Sequence, residues 1–139
     1  MSSQDLILKK DTDIIIAPLS GFSQKPMRSE IRKMGFRGLI FPEMLNPHEI
    51  LRGHLQKIEF MEDETPLGIQ LFGGYFEGKY RETINILKDK FKFQLIDLNM
   101  GCPVRKIMKA GGGAYLLNHF GEAEKILEEI RTVWNGPLS

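Results

Sequence analysis

Cysteine is almost absent from this chain, with Cys102 alone among 139 residues. One thiol cannot close an internal disulfide, so the fold has no covalent staple and suits a reducing compartment. Charge of one sign is lacking too: 19 Lys and Arg face 18 Asp and Glu, a formal net charge of +1. The overall field therefore neither demands nor excludes a polyanionic partner. No apolar run approaches the roughly 20 residues that span a bilayer. The first dozen residues carry neither the basic start nor the apolar centre of a secretory leader. These absences predict a soluble, cytoplasmic protein. No G-x-G-x-x-G follows the first apolar run, which counts against a dinucleotide-binding Rossmann unit. His48, His54 and His119 do not stand at metal-ligand spacing and read as surface or capping residues. Gly111-Gly112-Gly113 lacks the lysine and serine of a P-loop, so a flexible closing loop is the better reading of it.

What is present is ordinary in bulk and informative in order. A hydrophobic content of 42% and a charged content of 27% fit one globular domain over residues 1–139. Four short apolar runs punctuate it: Ile14-Ile15-Ile16-Ala17, Gly38-Leu39-Ile40-Phe41, Leu67-Gly68-Ile69-Gln70-Leu71-Phe72 and Phe93-Gln94-Leu95-Ile96-Asp97-Leu98. They are continuous rather than strictly alternating, as strands covered on both faces are. Helical patterns lie between them. Met27, Ile31 and Met34 predict a helix over 26–34, closed by Gly35. Asn46-Pro47 is an N-cap followed by proline at the first helical position, opening a helix over 48–55. Tyr80, Ile84 and Leu87 stripe the segment 77–90, and Ala123, Ile126, Leu127, Ile130 and Val133 stripe 122–134. Pro137-Leu138-Ser139 reads as the entry to a fifth strand.

Strand and helix alternate, the signature of βα units and a parallel sheet. A doubly wound open sheet and a (β/α)8 barrel both satisfy that pattern. The tips of all four runs carry polar or conformationally special residues, and such convergence at strand carboxyl ends is the barrel arrangement. A complete barrel takes about 250 residues, so this chain would hold half of one, about four βα units.

Cys102 sits where the fourth run stops, in a turn forced by Gly101 and Pro103. Standing alone it would read as a buried apolar filler. At a barrel strand tip beside Asn99 it is placed for chemistry. Two basic groups flank these tips: Lys25, Arg28, Arg32, Lys33 and Arg37 read as a solvated helix face, and Arg105, Lys106 and Lys109 follow the cysteine.

Taken together, Ala17-Pro18-Leu19-Ser20-Gly21, Glu43-Met44, Gln70-Leu71-Phe72-Gly73 and Asp97-Leu98-Asn99-Met100-Gly101-Cys102-Pro103 resemble the tRNA-dihydrouridine synthase family. These are FMN-dependent enzymes that reduce selected uridines in tRNA. Gly111-Gly112-Gly113-Ala114-Tyr115-Leu116-Leu117 is similar to the family's glycine-rich stretch, which closes over the active-site face. The likeness runs from about residue 14 to residue 139. It implies a TIM barrel, FMN as cofactor and NADPH as reductant. It further implies that Pro18, Leu19 and Ser20 line the flavin, that Gln70 hydrogen-bonds its ring, that Cys102 is the general acid and that Asn99 helps hold the uracil. Glu43 takes a supporting place. Arg105, with Lys106 and Lys109, is a candidate for tRNA phosphates, with a solvated loop as the equal alternative. Saturating the C5–C6 bond of uracil takes a hydride at one carbon and a proton at its neighbour. A thiol with an ordinary pKa near 8.5 is protonated at neutral pH yet able to give its proton up.

The family pattern continues beyond this chain's last residue. A lysine on the fifth strand, a later histidine, glycine-rich loops for the flavin phosphate and a C-terminal helical tRNA domain have no counterpart here. The expectation is therefore a truncated N-terminal half-barrel with weak or no activity alone. Its open sheet edges would be covered by a homodimer or a second half-barrel chain. A gene product cut short or an expressed fragment is the other reading. Two other functions stay open. One is a non-catalytic half-barrel that oligomerises or binds a partner. The other is a flavin oxidoreductase acting on a small molecule.

Overall fold

The structure is a computed structural model that describes residues 14–57, 59–61 and 64–139. The opening dozen residues read above for a leader lie outside the described residues. Parallel pairing joins the apolar runs in chain order. Ile16 bridges Ile40, and Ile40 bridges Leu67. Strand β1 (Gly68–Leu71) pairs with β2 (Leu95–Leu98), Gly68 opposite Leu95 and Gln70 opposite Asp97. Ile96 bridges Leu138, so the expected fifth-strand entry does pair. A doubly wound sheet reverses its winding, whereas each segment here lies beside its sequence neighbour. Among the described residues, only the third and fourth runs form regular ladders. The first two pair through single bridges, because Pro18 and Pro42, lacking an N–H, follow them directly.

The helices form near the predicted places, with revised ends. Helix α1 (Lys25–Lys33) ends before Met34, which is 85% exposed and not part of a buried stripe. Helix α2 (Pro47–Leu51) opens as read, the Asn46 side chain accepting from the backbone N–H of His48 at 2.8 Å. It is shorter than expected. Gly53, at φ +84°, turns the backbone left-handed, and a 3-10 turn, His54–Lys57, follows. Helices α3 (Lys79–Lys90) and α5 (Phe120–Val133) pack on each other and on the sheet. Gly78 offers α3 no capping side chain. Glu129 of α5 supplies the acceptor instead, taking the backbone N–H groups of Gly78 and Tyr80. Helix α4 (Arg105–Lys109) and a 3-10 turn, Gly113–Asn118, had no periodic signal in the sequence.

Successive side chains of a strand alternate between faces, and the two faces of this sheet differ. One bears Ile40, Ile69, Leu71, Ile96 and Leu98, all buried against Tyr80, Ile84, Leu87, Ile126 and Ile130 of the helices. The other carries a small separate layer, Leu39, Phe41 and Leu95. Phe41 lies over Gly68, where an added Cβ would stand 2.4 Å from the ring, so that glycine makes room for the aromatic. One step further toward the carboxyl ends, on this same face, come Gln70 and Asp97.

Of the early basic group, Lys25, Lys33 and Arg37 are exposed as the sequence suggested, but Arg28 and Arg32 are not part of a solvated face. Arg28 is 2% exposed and grips Glu64 with two nitrogens, Nε to Oε1 at 2.6 Å and Nη2 to Oε2 at 3.0 Å. It also donates to the carbonyls of Ser23 and Glu59. Arg32 likewise turns inward, donating to the carbonyls of Phe36, Gly38 and Pro66. The guanidinium fork can satisfy several carbonyls at once, which the sequence alone does not register. Among the described residues, no helix is long and apolar enough to cross a membrane.

Candidate active site

The four strand tips meet at one mouth, and hydrogen bonds tie them together. In the first, Leu19 donates its backbone N–H to Ser23 Oγ at 2.7 Å, and Phe22 and Ser23 donate theirs to the Leu19 carbonyl. This folds residues 19–23 into a tight turn with Ser23 fully buried, while Leu19 and Ser20 stay exposed and Pro18 half-exposed. Arg28 holds the Ser23 carbonyl from beneath, so the buried ion pair supports the turn. At the second tip, Glu43 accepts the backbone N–H of Gly21, pinning the first loop to the second. The chain then bulges at residues 42–44 and returns to pair, Leu45 with Leu71.

The third and fourth tips share a continuous polar row. Gln70 Nε2 donates to Asp97 Oδ2 at 2.6 Å, and Asn99 Nδ2 donates to Gln70 Oε1 at 2.9 Å. Asn99 Oδ1 accepts the backbone N–H groups of Gly101 and Cys102, at 3.2 and 3.0 Å, closing the turn that carries the thiol. Asn99 Nδ2 also faces Met44 Sδ at 3.8 Å, a weak acceptor from the second tip. Cys102 is free and half-buried. Gln70, Asn99, Cys102, Glu43 and the Pro18 turn are thus brought together at the carboxyl ends of the strands.

Arg105, Lys106 and Lys109 lie exposed on α4, and among the described residues their side chains make no hydrogen bond or ion pair. The glycine-rich stretch is packed, not a loose closing loop. A Cβ on Gly112 would meet the Gly73 backbone at 2.7 Å, and one on Gly113 would meet the Cys102 carbonyl oxygen at 2.4 Å. Ala114 donates its N–H to that same carbonyl at 3.0 Å. The stretch therefore backs the cysteine turn from behind. A cavity of about 460 Å³ opens beside the mouth, between Ser23, Gln24, Glu43, Met44, Asn46 and Phe72; Gln70, Asn99 and Cys102 do not line it.

Asp97 is the residue whose place the sequence reading missed. Its signal was a carboxylate in an otherwise apolar run, two residues from Asn99 and so on the same strand face. The histidines are engaged locally: His54 with Glu49, His119 stacked on Tyr115, and His48 edge-on to Phe76.

The chain is 31% identical over 128 residues to a protein of Synechocystis sp. named probable tRNA-dihydrouridine synthase 1, covering 91% of this chain and 36% of that one. It is 30% identical over 134 residues to tRNA-dihydrouridine synthase B of Pseudomonas aeruginosa, covering 91% and 38%. It is 29% identical over 124 residues to a probable tRNA-dihydrouridine synthase of Rickettsia bellii, covering 87% and 37%. The chain thus spans well under half the length of these relatives. The profile of the dihydrouridine synthase (Dus) family matches residues 15–139, which takes in every strand tip described above. The chain belongs to the dihydrouridine synthase family.

Proposed function

We propose that this chain forms the first half, about four βα units, of a (β/α)8 barrel. Its mouth would serve an FMN-dependent reduction of uridine to 5,6-dihydrouridine in tRNA. The observation that carries this reading is the convergence of all four strand tips on one hydrogen-bonded row ending at a half-buried thiol. The residues present fit a flavin ring: the apolar layer of Leu39, Phe41 and Leu95 lies below a polar edge at Gln70 and Asp97. Such a floor and edge suit a flat aromatic system with polar groups along one side. Gln70 would hydrogen-bond the ring, and Pro18, Leu19 and Ser20 would flank it. Bound there and recharged by NADPH, FMN would supply the hydride.

The protein's own share is the proton and the fit. Cys102 holds a proton on Sγ and delivers it to the carbon of the uracil double bond that does not receive the hydride. Asn99 seats that thiol through the backbone of Cys102. Its contact to the Met44 sulfur is weak enough to be exchanged for a uracil carbonyl. The base has to leave its stack in folded RNA to reach the mouth. The exposed cations Arg105, Lys106 and Lys109 stand on the helix directly after the thiol turn, where phosphates would pass.

The chain covers well under half of its relatives' length, so flavin binding is a more decisive measurement than turnover. FMN titrated into purified protein should be quenched on binding, and Gln70→Ala should weaken that binding roughly tenfold. Cys102→Ala should bind FMN normally and lower NADPH-dependent dihydrouridine formation in tRNA by about 100-fold or more. A colourless protein that quenches no FMN would sink the reading in favour of a partner-binding half-barrel. Flavin reduction indifferent to RNA would favour a small-molecule oxidoreductase.

A further inference from the structure

The polar row has a direction, and chemistry fixes it at both ends. At one end the donors to Asn99 Oδ1 are backbone N–H groups of Gly101 and Cys102, which can only donate. The Asn99 oxygen must therefore face the cysteine turn, and its nitrogen must face Gln70 Oε1. That leaves the Gln70 nitrogen toward Asp97, whose carboxylate can only accept. The second Asp97 oxygen takes the Ser139 hydroxyl at 2.7 Å. Flipping Gln70 would set N–H against the Asn99 N–H and oxygen against carboxylate, and flipping Asn99 would set N–H against backbone N–H and oxygen against the Gln70 oxygen. The row reads from backbone donor to carboxylate without a break.

We propose that Asp97 is a positioning residue: as the terminal acceptor of this row it fixes the orientation of the Gln70 carboxamide and, through Asn99, the seat of the Cys102 turn. Gln70 then offers the site the one Nε2 hydrogen that Asp97 does not use, so the ligand edge it meets carries an acceptor such as a carbonyl oxygen. The ligand part of this inference rests on the flavin reading above. The positioning part does not.

Four variants separate the possibilities, read by the alkylation rate of Cys102 with a neutral reagent, by thermal unfolding and by FMN quenching. Asp97→Ala should speed alkylation severalfold and weaken FMN binding roughly tenfold, the order expected when a half-buried amide loses a charged acceptor. Asp97→Asn, which still offers an oxygen, should stay within about threefold of the parent in both readings. Gln70→Glu sets carboxylate against carboxylate and should lower the unfolding midpoint and speed alkylation. Adding Asp97→Asn to Gln70→Glu restores a donor opposite an acceptor. The double variant should regain parental unfolding and alkylation, yet not FMN binding, because position 70 no longer carries an N–H. Parental alkylation in Asp97→Ala, or a double variant no better than Gln70→Glu alone, would overturn the proposal. Should no protein bind FMN while the alkylation and unfolding order holds, the flavin reading fails and the positioning role stands.

Discussion

Tyr80 shows how one buried side chain can fix a strand tip. Its hydroxyl donates to the Gly73 carbonyl at 2.9 Å, just past the end of β1, and the residue is 1% exposed. Burial, with the Glu129 carboxylate adding to it, pushes the phenol well above its ordinary value. The folded protein thus keeps the phenol neutral where the unfolded chain would ionise it, near pH 10. Stability from this group is intact below about pH 10 and falls as pH rises beyond, by up to about 1.4 kcal/mol per unit. Tyr80→Phe should flatten that alkaline loss, seen in urea unfolding at about pH 8 and about pH 11, while costing about 1 kcal/mol at neutral pH. An unchanged alkaline slope would assign the loss to other groups. At this scale the sequence was partly legible. Cys102, Asn99 and Gln70 announced themselves as polar residues at the ends of apolar runs. Asp97 did not, because its meaning lies in the register that sets it opposite Gln70, and register is not written in a single string.

At the scale of elements, the glycine-rich stretch was the segment read least well. Three glycines in a row look like freedom in a sequence, and here they serve close approach. The segment around Gly112 lies backbone to backbone against Gly73, and Gly74 would likewise bring a Cβ to 2.4 Å from the Ala110 carbonyl. Gly112→Ala should therefore cost about 1–3 kcal/mol, because the obstructing atoms are main chain that cannot swing aside. Gly101→Ala, with nothing within 4 Å of its Cβ position, should stay within about 0.5 kcal/mol. Chemical denaturation of the two variants checks the contrast, and equal losses would refute the packing role. The same backbone contacts explain why α4 and the following 3-10 turn escaped a reading by periodicity. They are held by short-range turns and by contact with the cysteine loop, and helix α4 has no buried residue.

For the whole molecule, the order of pairing was legible and its strength was not. Apolar runs ended by proline or glycine located each segment, yet prolines that marked the tips also cut the first two ladders to single bridges. Support is accordingly uneven across the sheet. Strands β1 and β2 pair over four residues and lie under α3 and α5, with Ile69, Leu71, Ile96, Ile84 and Leu87 at 0% exposure. Among the described residues Ile16 pairs with Ile40 alone, and its neighbours Ile14 and Ile15 are 66% and 46% exposed. Hydrogen exchange should follow this gradient, with amides of β1 and α3 exchanging at least ~10-fold slower than Ile16. Uniform protection across the sheet would show that the first segment is locked by something other than its own pairing. The gradient bears on the site. The Gln70 amide stands on β1 and the thiol in the turn that directly follows β2, the best-supported strands, whereas the Pro18 turn hangs on one bridge, the Glu43 contact and the buried Arg28–Glu64 pair. A mouth built this way holds its thiol still and leaves one wall able to adjust as a ligand enters, so ligand binding should slow exchange at Ile16 more than at β1.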